Sequence, residues 1–253
     1  MFHWIFSAKR LYWSRSVFSN TYSIRGGDMV TDVRRKNVEE FALSVFRKSG
    51  AILENGHYVY NSGRHGSEYV LGDALCADGE ELSTLMFYLS EMVLDSGFRK
   101  QAEVILAPAV GGIPPAMRFA EHMSKAVSRK IYFTWAEKSS ASQKNPFTIP
   151  EAFKKYIAQK NVFLVDDVVT TGIAFRNLSG LVRNLGGNVL GAACLWTRSS
   201  IQSYDIGAVP LFSLIEKQFE SWKKEDCPLC KSLRPINTDY GHGEEFLEKM
   251  KRS

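Results

Sequence analysis

Strand patterns and helix patterns alternate through the middle of the chain, and this alternation limits the folds open to it. The apolar runs "EVILAPAV", "KIYFTWAE", "NVFLVDD" and "NVLGAACLW" are separated by segments that include the helical patterns "AMRFAEHMSKAV" and "IAFRNLSGLVRNLGG". Continuous apolar strands alternating with helices are typical of a parallel sheet whose two faces are both covered. We therefore predict an α/β fold with a mainly parallel sheet and helices on both faces.

The segments before this alternating region predict a helix and then a small irregular region. Apolar residues from Val38 to Phe46 follow a helical period, and a second helix is expected from about Glu80 to Ser96. Between them, "AILENGHYVYNSGRHGSEYVLGDAL", residues 51–75, contains β-favouring residues broken by Asn-Gly and Ser-Gly. We expect strands and turns there, and a single domain over residues 29–225.

Residues 1–28 are expected to lie outside the fold. The first 27 residues contain four lysines and arginines, several serines and aromatics, and no acidic residue. That composition suits an organellar transit peptide, and an upstream stretch added by start-site choice is the alternative, because Met29 opens a more ordinary beginning.

Composition excludes several classes of protein. The net charge is +5, but the basic residues are spread out and form no block typical of nucleic-acid binding. No apolar run of about 18 residues occurs, so we expect no membrane-spanning helix. The four cysteines do not form the dense framework of a small secreted domain, which favours a reducing, cytoplasmic location; they are Cys76, Cys194, Cys227 and Cys230.

Two adjacent acids, Asp166 and Asp167, follow a buried strand and precede the turn "VVTTG". Ligands of open α/β folds sit at the carboxyl ends of the strands. Paired carboxylates suit hydroxyl groups or a divalent cation, and backbone N–H groups at the start of the next helix suit a phosphate. The combination suggests a sugar phosphate; the alternative is that the acids cap the following helix.

The whole string "NVFLVDDVVTTGIAF" resembles the phosphoribosyl diphosphate motif of the type I phosphoribosyltransferases, and the resemblance runs from about Asn37 to Leu214. It implies that Asp166 and Asp167 hold the ribose 2- and 3-hydroxyls, and that Mg²⁺ bridges the diphosphate and these hydroxyls. The 5-phosphate would lie on the next five residues, Val168, Val169, Thr170, Thr171 and Gly172.

"ILAPAVGGIPP" resembles the pyrophosphate loop of the same family, in which small residues let the backbone approach the leaving group. The positions carried over are Pro108, Ala109, Val110, Gly111 and Gly112. Lys138 matches a lysine of the family's mobile loop, within the polar segment "AEKSSASQKNPFT", and would support the departing diphosphate.

Within the family, the orotate enzymes match best. "YNSGRHGSEYV" resembles their hood over the base and includes Arg64, and Arg198 in "CLWTRSS" falls where they place an arginine at the base carboxylate. The resemblance implies transfer of ribose 5-phosphate from phosphoribosyl diphosphate to orotate, by a homodimer.

The chain also departs from the pattern of the orotate enzymes. Two lysines usual in them are replaced by Gly111 and Asn61, and no histidine follows in the mobile loop. Two alternatives therefore stay open: a purine as the acceptor, or a regulator that binds the donor without turnover.

The tail, residues 226–253, contains the pair Cys227 and Cys230, which is half of a tetrahedral zinc site. His242 is a candidate third ligand, and Cys76 or His57 would have to come from far away in the sequence. The alternative is a folded-back tail with two thiols that bind no metal. Of two further histidines, His65 is a candidate contact of a base or phosphate, and His122 is expected to be a surface or packing residue.

Overall fold

The computed structural model describes residues 29–98, 101–139 and 145–252. The seven helices in these ranges are α1 (Met29–Lys48), α2 (Gly79–Asp95), α3 (Ile113–Val127), α4 (Glu151–Ile157), α5 (Ile173–Asn184), α6 (Pro228–Lys231) and α7 (Gly243–Arg252). The ten strands are β1 (Ile52–Leu53), β2 (Tyr58–Val59), β3 (His65–Gly66), β4 (Tyr69–Val70), β5 (Val104–Pro108), β6 (Tyr132–Lys138), β7 (Phe147–Thr148), β8 (Asn161–Val169), β9 (Asn188–Thr197) and β10 (Leu211–Glu216).

Six strands form one sheet in the order β10-β9-β8-β5-β6-β7. All neighbouring pairs are parallel except the short β7, which runs antiparallel to β6. Along the chain, β6 is added on one side of β5, and β8, β9 and β10 are then added in turn on the other side. The strand order therefore reverses between β5 and β8. The loops that leave these two strands diverge there and open a crevice at the carboxyl edge of the sheet.

Helices cover both faces of the sheet, and the residues of β5 show the alternation. Ile105 and Ala107 belong to a core shared with α1, α2 and α3, whereas Val104 and Leu106 belong to a second core shared with α4 and α5. All four side chains are fully buried. A strand buried on both sides needs apolar residues at successive positions, which explains the unbroken apolar runs of the sequence.

Residues 51–75, called the hood from here on, form two small antiparallel pairs beside the main sheet. β1 pairs with β4 and β2 pairs with β3, and a 3₁₀ helix, Gly72–Ala77, returns the chain towards the sheet. Residues 226–252, called the tail, lie against the hood. The backbone N–H groups of Asn237 and His242 donate to carbonyls of the hood residues His57 and Val59.

The sequence prediction of the fold class is confirmed, and the differences are local. α1 begins at Met29 and not near residue 37, and β7 and β10 were not predicted from the sequence. The predictions for residues 1–28 and for the centre of the polar loop, residues 140–144, concern residues outside the described ranges. No helix in the described part of the chain is both long enough and apolar enough to cross a membrane.

We expect Phe119→Ala to destabilise the fold by about 3–5 kcal/mol, the usual cost of removing a buried aromatic ring. Phe119 on α3 is fully buried and stacks on Phe163 of β8, with ring centroids 5.9 Å apart. Met117 on the same helix is 47% exposed, so Met117→Ala should change the free energy of unfolding by less than about 0.5 kcal/mol. Urea unfolding followed by tryptophan fluorescence measures both values, and equal losses would contradict this packing.

Candidate functional site

The paired acids lie at the carboxyl end of β8, beside the crevice. Asp166 is 9% exposed and pairs with Cys194 of β9 in the sheet. Its Oδ1 accepts the backbone N–H of Asp167 at 3.0 Å, and Asp167 Oδ1 accepts the backbone N–H of Val168 at 2.6 Å. The main chain therefore holds one oxygen of each carboxylate, which fixes the orientation of both side chains.

The electrostatics of this pair favour a partner that brings positive charge or donates hydrogen bonds. Burial, and next the neighbouring charge of Asp167, raise the pKa of Asp166 well above its ordinary value. Burial also raises the pKa of Asp167, and the nearby Asp73 contributes in the same direction. Among the described residues, no lysine or arginine forms an ion pair with Asp166 or Asp167. Ribose hydroxyls or a divalent cation would relieve this uncompensated charge.

Three glycines let the backbone come close to the carboxylates. A Cβ atom on Gly72 would lie 1.8 Å from Asp167 Oδ2, and one on Gly112 would lie 2.8 Å from Asp166 Oδ1. A Cβ atom on Gly111 would lie 2.9 Å from an oxygen of Asp73. A side chain at any of these positions would have to displace a carboxylate oxygen, so the hood and the loop after β5 both lie close to the acid pair.

The loop after β5 forms the other side of the crevice. Pro108 ends β5, and the backbone N–H of Ala109 donates to the carbonyl of Ala136 in β6 at 2.7 Å. The peptide bond between Ala109 and Val110 is cis, and Val110 is 79% exposed. Two residues of this loop, Gly111 and Gly112, lie close to the acids, and neither has a side chain.

The turn after β8 leads directly into α5. Thr170 and Thr171 are exposed, and Gly172 adopts a φ of 73° at the position before the helix. A Cβ atom there would lie 2.8 Å from the side chain of Ile206, so glycine is required for both conformation and space. The two hydroxyls, together with the N-terminal N–H groups of a 12-residue helix, suit a phosphate group.

Arg198 lies one strand away from the acid pair, just after β9. Its backbone N–H donates to the carbonyl of Val169 at 2.9 Å, which ties it to the end of β8. The guanidinium carbon lies 4.8 Å from the ring centroid of Tyr60, 5.5 Å from that of Tyr69 and 5.6 Å from that of Phe219. Burial lowers the pKa of Arg198, and no acidic side chain in the described ranges forms an ion pair with it. A planar anion placed among these rings would supply the missing partner.

Two other predicted site residues lie apart from this centre. Arg64 donates from Nε to the hydroxyl of Ser221 at 2.9 Å and from Nη2 to the carbonyl of the same residue, so its guanidinium joins the hood to the segment after β10. Lys138 ends β6 and is exposed. It pairs with Phe147 of β7 and leads into the polar loop.

Some contributions were not foreseen from the sequence. Asp73 joins the acid pair from the hood, and Phe219 packs against Arg198 from the segment after β10. The expectation that His65 meets a base or phosphate was wrong, because its ring is fully buried against His57 and Cys230. His122 was expected to be a surface or packing residue, and it packs: its Nε2 lies 3.0 Å from the hydroxyl of Ser83.

Comparison with curated proteins connects this geometry with a known family. The family model "Phosphoribosyl transferase domain" matches residues 77–226, more than half of the chain. An orotate phosphoribosyltransferase of Carboxydothermus hydrogenoformans is 31% identical over 192 residues, covering 76% of this chain and 92% of that protein. Another from Heliobacterium modesticaldum is 31% identical over 200 residues, covering 78% and 95%.

Solved structures agree on the fold. The orotate phosphoribosyltransferase of Aeropyrum pernix superposes with a TM-score of 0.54 at 22% identity, covering 68% of this chain and 91% of that one. The Mycobacterium tuberculosis enzyme in complex with inorganic phosphate gives a TM-score of 0.52 at 21% identity, covering 71% and 95%. With the family model and the curated relatives, this establishes that the chain belongs to the phosphoribosyltransferase family.

Proposed function

We propose that the protein transfers the 5-phosphoribosyl group of phosphoribosyl diphosphate to orotate, giving orotidine 5-phosphate and diphosphate in pyrimidine nucleotide biosynthesis. The observation that carries the proposal is the placement of Arg198, a half-buried cation surrounded by aromatic rings, one strand away from the adjacent acids Asp166 and Asp167. Such a site matches an aromatic acid on one side and a phosphorylated sugar on the other. The curated relatives carry the name of the same activity.

The donor fits the crevice between β5 and β8. Asp166 and Asp167 would accept hydrogen bonds from the ribose 2- and 3-hydroxyls, and the turn from Val168 to Gly172 would bind the 5-phosphate. The glycine-rich loop from Pro108 to Gly112 would bind the diphosphate through backbone groups. The ribose hydroxyls, the 5-phosphate and the diphosphate of the donor would thus each lie beside groups that can hydrogen-bond to them.

The residues of the site also fit Mg²⁺, which the family implies. The carboxylates of Asp73, Asp166 and Asp167 converge without a basic partner, and glycines keep the space between them open. Oxygen donors of this kind suit a hard divalent cation, held in part through the substrate. When bound, Mg²⁺ supplies positive charge to the diphosphate leaving group.

Arg198 would bind the carboxylate of orotate, while Tyr60, Tyr69 and Phe219 surround the guanidinium. The hydroxyl of Tyr60 donates to the carbonyl of Glu68 at 2.6 Å, which holds the ring in place. A guanidinium grips a carboxylate with two parallel hydrogen bonds, so binding also fixes the orientation of the base.

In the reaction, a bond forms between the ring nitrogen of orotate and C1 of the ribose. The bond from C1 to the diphosphate oxygen breaks, the electron pair leaves with the diphosphate, and the proton of the ring nitrogen would pass to the departing diphosphate. The transition state resembles an oxocarbenium ion, so the protein contributes by orienting the sugar and the base and by excluding water. Lys138, at the start of the polar loop, would add positive charge beside the departing diphosphate.

The proposal includes a homodimer in the cytoplasm. The dimer is supported by the resemblance to the orotate enzymes, in which one subunit's loop serves the neighbouring site. The cytoplasmic location is supported by the four cysteines, which are all unpaired in the structure.

We expect Asp166→Asn to lower kcat by at least about 10²-fold, because the ribose is no longer oriented correctly. The same change should raise the melting temperature of the free protein at mildly alkaline pH. Since folding raises the pKa of Asp166 above its ordinary value of 3.8, the ionised carboxylate destabilises the folded state above that pKa. The gain should shrink as the pH falls through the raised pKa.

Steady-state kinetics and differential scanning fluorimetry across pH measure the two effects. Asp95→Asn is the matched control, because Asp95 is exposed and ends α2. This substitution should change neither kcat nor the melting temperature at mildly alkaline pH. If the melting temperature of Asp166→Asn fell at mildly alkaline pH, the electrostatic description of the pair would be wrong.

We expect Arg198→Ala to lower kcat/KM for orotate by between about 30-fold and about 4,000-fold, the usual cost of truncating one partner of a desolvated ion pair. KM for phosphoribosyl diphosphate should change little. Arg129→Ala is the matched control, because this arginine bonds the carbonyl of Ala102 at the amino end of the sheet. Diphosphate release is measured with orotate, uracil, adenine, hypoxanthine and guanine. If the protein turns over a purine, and if Arg198→Ala leaves that activity unchanged, orotate is not the acceptor.

We expect two impaired variants, Lys138→Ala and Arg198→Ala, to regain activity together when equal amounts are unfolded and refolded as a mixture. Random pairing makes about half of the dimers mixed. If the loop of one subunit serves its neighbour, each mixed dimer has one intact site, so about a quarter of the wild-type sites return. Separately refolded variants that are mixed afterwards form the control. No recovery from dimers shown to be mixed would place Lys138 in its own subunit's site.

A further inference from the structure

Four potential metal ligands from distant parts of the chain meet where the tail lies against the hood. His57 and His65 come from the hood, and Cys227 and Cys230 come from the tail. One donor atom of each side chain lies within 4.8 Å of those of the other three. His57, His65 and Cys227 are buried, with at most 2% of each residue exposed. This cluster is separate from the acid pair and has no part in the proposed reaction.

The distances within the cluster are close to those of a tetrahedral site. The sulfurs of Cys227 and Cys230 each lie 3.7 Å from His57 Nε2, and Cys230 Sγ lies 3.3 Å from His65 Nδ1. The two ring nitrogens are 2.9 Å apart. With zinc bonds of about 2.0 Å to nitrogen and about 2.3 Å to sulfur, neighbouring donor atoms of a tetrahedron lie about 3.3–3.8 Å apart. Small movements of the side chains would therefore accommodate the ion.

The surroundings prepare His57 for a metal. Its Nδ1 lies 2.8 Å from the carbonyl of Arg234, and since a carbonyl only accepts, Nδ1 carries the proton. Nε2 then carries no proton, so its lone pair can bind a metal, and it lies 2.9 Å from His65 Nδ1 and 3.7 Å from each sulfur. A histidine ligand that donates its other ring N–H to a backbone carbonyl is the common arrangement around bound zinc.

His65 has no other polar role in the described structure. Its ring is fully buried, its Nε2 has no hydrogen-bond partner among the described residues, and it packs edge-on against Phe246 of α7. Burying an imidazole costs free energy unless its nitrogens are satisfied. A metal bound at Nδ1 would offset that cost.

We propose that His57, His65, Cys227 and Cys230 bind one structural zinc ion per chain. Four protein ligands leave no open position, which is typical of structural and not of catalytic zinc. On binding, the two thiols lose their protons, and the two thiolates neutralise the charge of the ion. The expectation that His242 is a ligand was wrong: its Nδ1 lies 3.1 Å from a carboxylate oxygen of Glu245, and the ring is outside the cluster.

The ion would fasten the tail to the hood at a point where other contacts already converge. His65 and Trp222 exchange two backbone hydrogen bonds of 2.8 Å, and Tyr240 of the tail stacks on Tyr69 of the hood. Tyr69 in turn lies over Arg198. Zinc would therefore stabilise the part of the hood that carries the aromatic rings around Arg198.

Metal analysis of the full-length protein, purified without chelators, tests this proposal without any enzyme assay. Native mass spectrometry and elemental analysis should find one zinc per chain. Cys230→Ser should lose the zinc and melt at a lower temperature. Cys76→Ser is the matched control, because Cys76 is partly buried like Cys230 but lies outside the cluster, and it should keep the zinc.

A second measurement on the wild-type chain covers the case in which Cys230→Ser does not fold. Zinc is removed with a chelator and replaced by Co²⁺, which should give the visible bands of a tetrahedral site and a thiolate charge-transfer band. Wild-type protein that contains no zinc and gives no such bands would overturn the proposal. A mass lower by two hydrogens, showing a disulfide between Cys227 and Cys230, would also overturn it.

Discussion

The structure is organised around two adjacent carboxylates, one buried and one half-buried, that form no ion pair with a basic residue in the described part of the chain. Asp166 and Asp167 stand at the end of β8, where the parallel register places them beside the end of β5. Leaving such charges unpaired costs stability, and burial raises the pKa of both groups. The core on each face of the sheet must supply the free energy that holds them there. The hydroxyl groups of the proposed substrate, together with a bound cation, would satisfy both acids and offset this cost.

A second constraint joins the base site to the far end of the sequence. Arg198 follows β9 and belongs to the rigid sheet, whereas Tyr60 and Tyr69, which lie over its guanidinium, belong to a hood of two-residue strands. Strand pairs this short are not stable alone in water. The tail stabilises these strand pairs through backbone hydrogen bonds and through the cluster of His57 and His65 with two cysteines. The order of the aromatic rings around Arg198 thus depends on residues far from them in sequence.

The sequence allowed the central part of the fold to be predicted because its signals are local. Each long strand is an apolar run, and the acid pair and the turn to Gly172 occupy consecutive positions. The missed contributions are not local. Asp73 lies in a short 3₁₀ helix far from Asp166 in sequence, and only the folded chain brings the two together. For the tail cysteines, His57 was only one of two distant candidates and His65 was not foreseen as a partner, since His57 and Cys227 are 170 residues apart.

Asp73 gives a physical explanation for one difference between this chain and the orotate enzymes, the glycine at position 111. Where those enzymes usually place a lysine, this chain has Gly111, and a Cβ atom there would lie 2.9 Å from Asp73 Oδ1 and 3.3 Å from Asp167 Oδ2. Glycine removes the side chain that would occupy this space, and with it a positive charge beside the diphosphate. In the proposed reaction, the compensating charge would come from a bound cation and from the loop that begins at Lys138. Binding of the donor should therefore depend more strongly on Mg²⁺ in this chain than in relatives that keep the lysine.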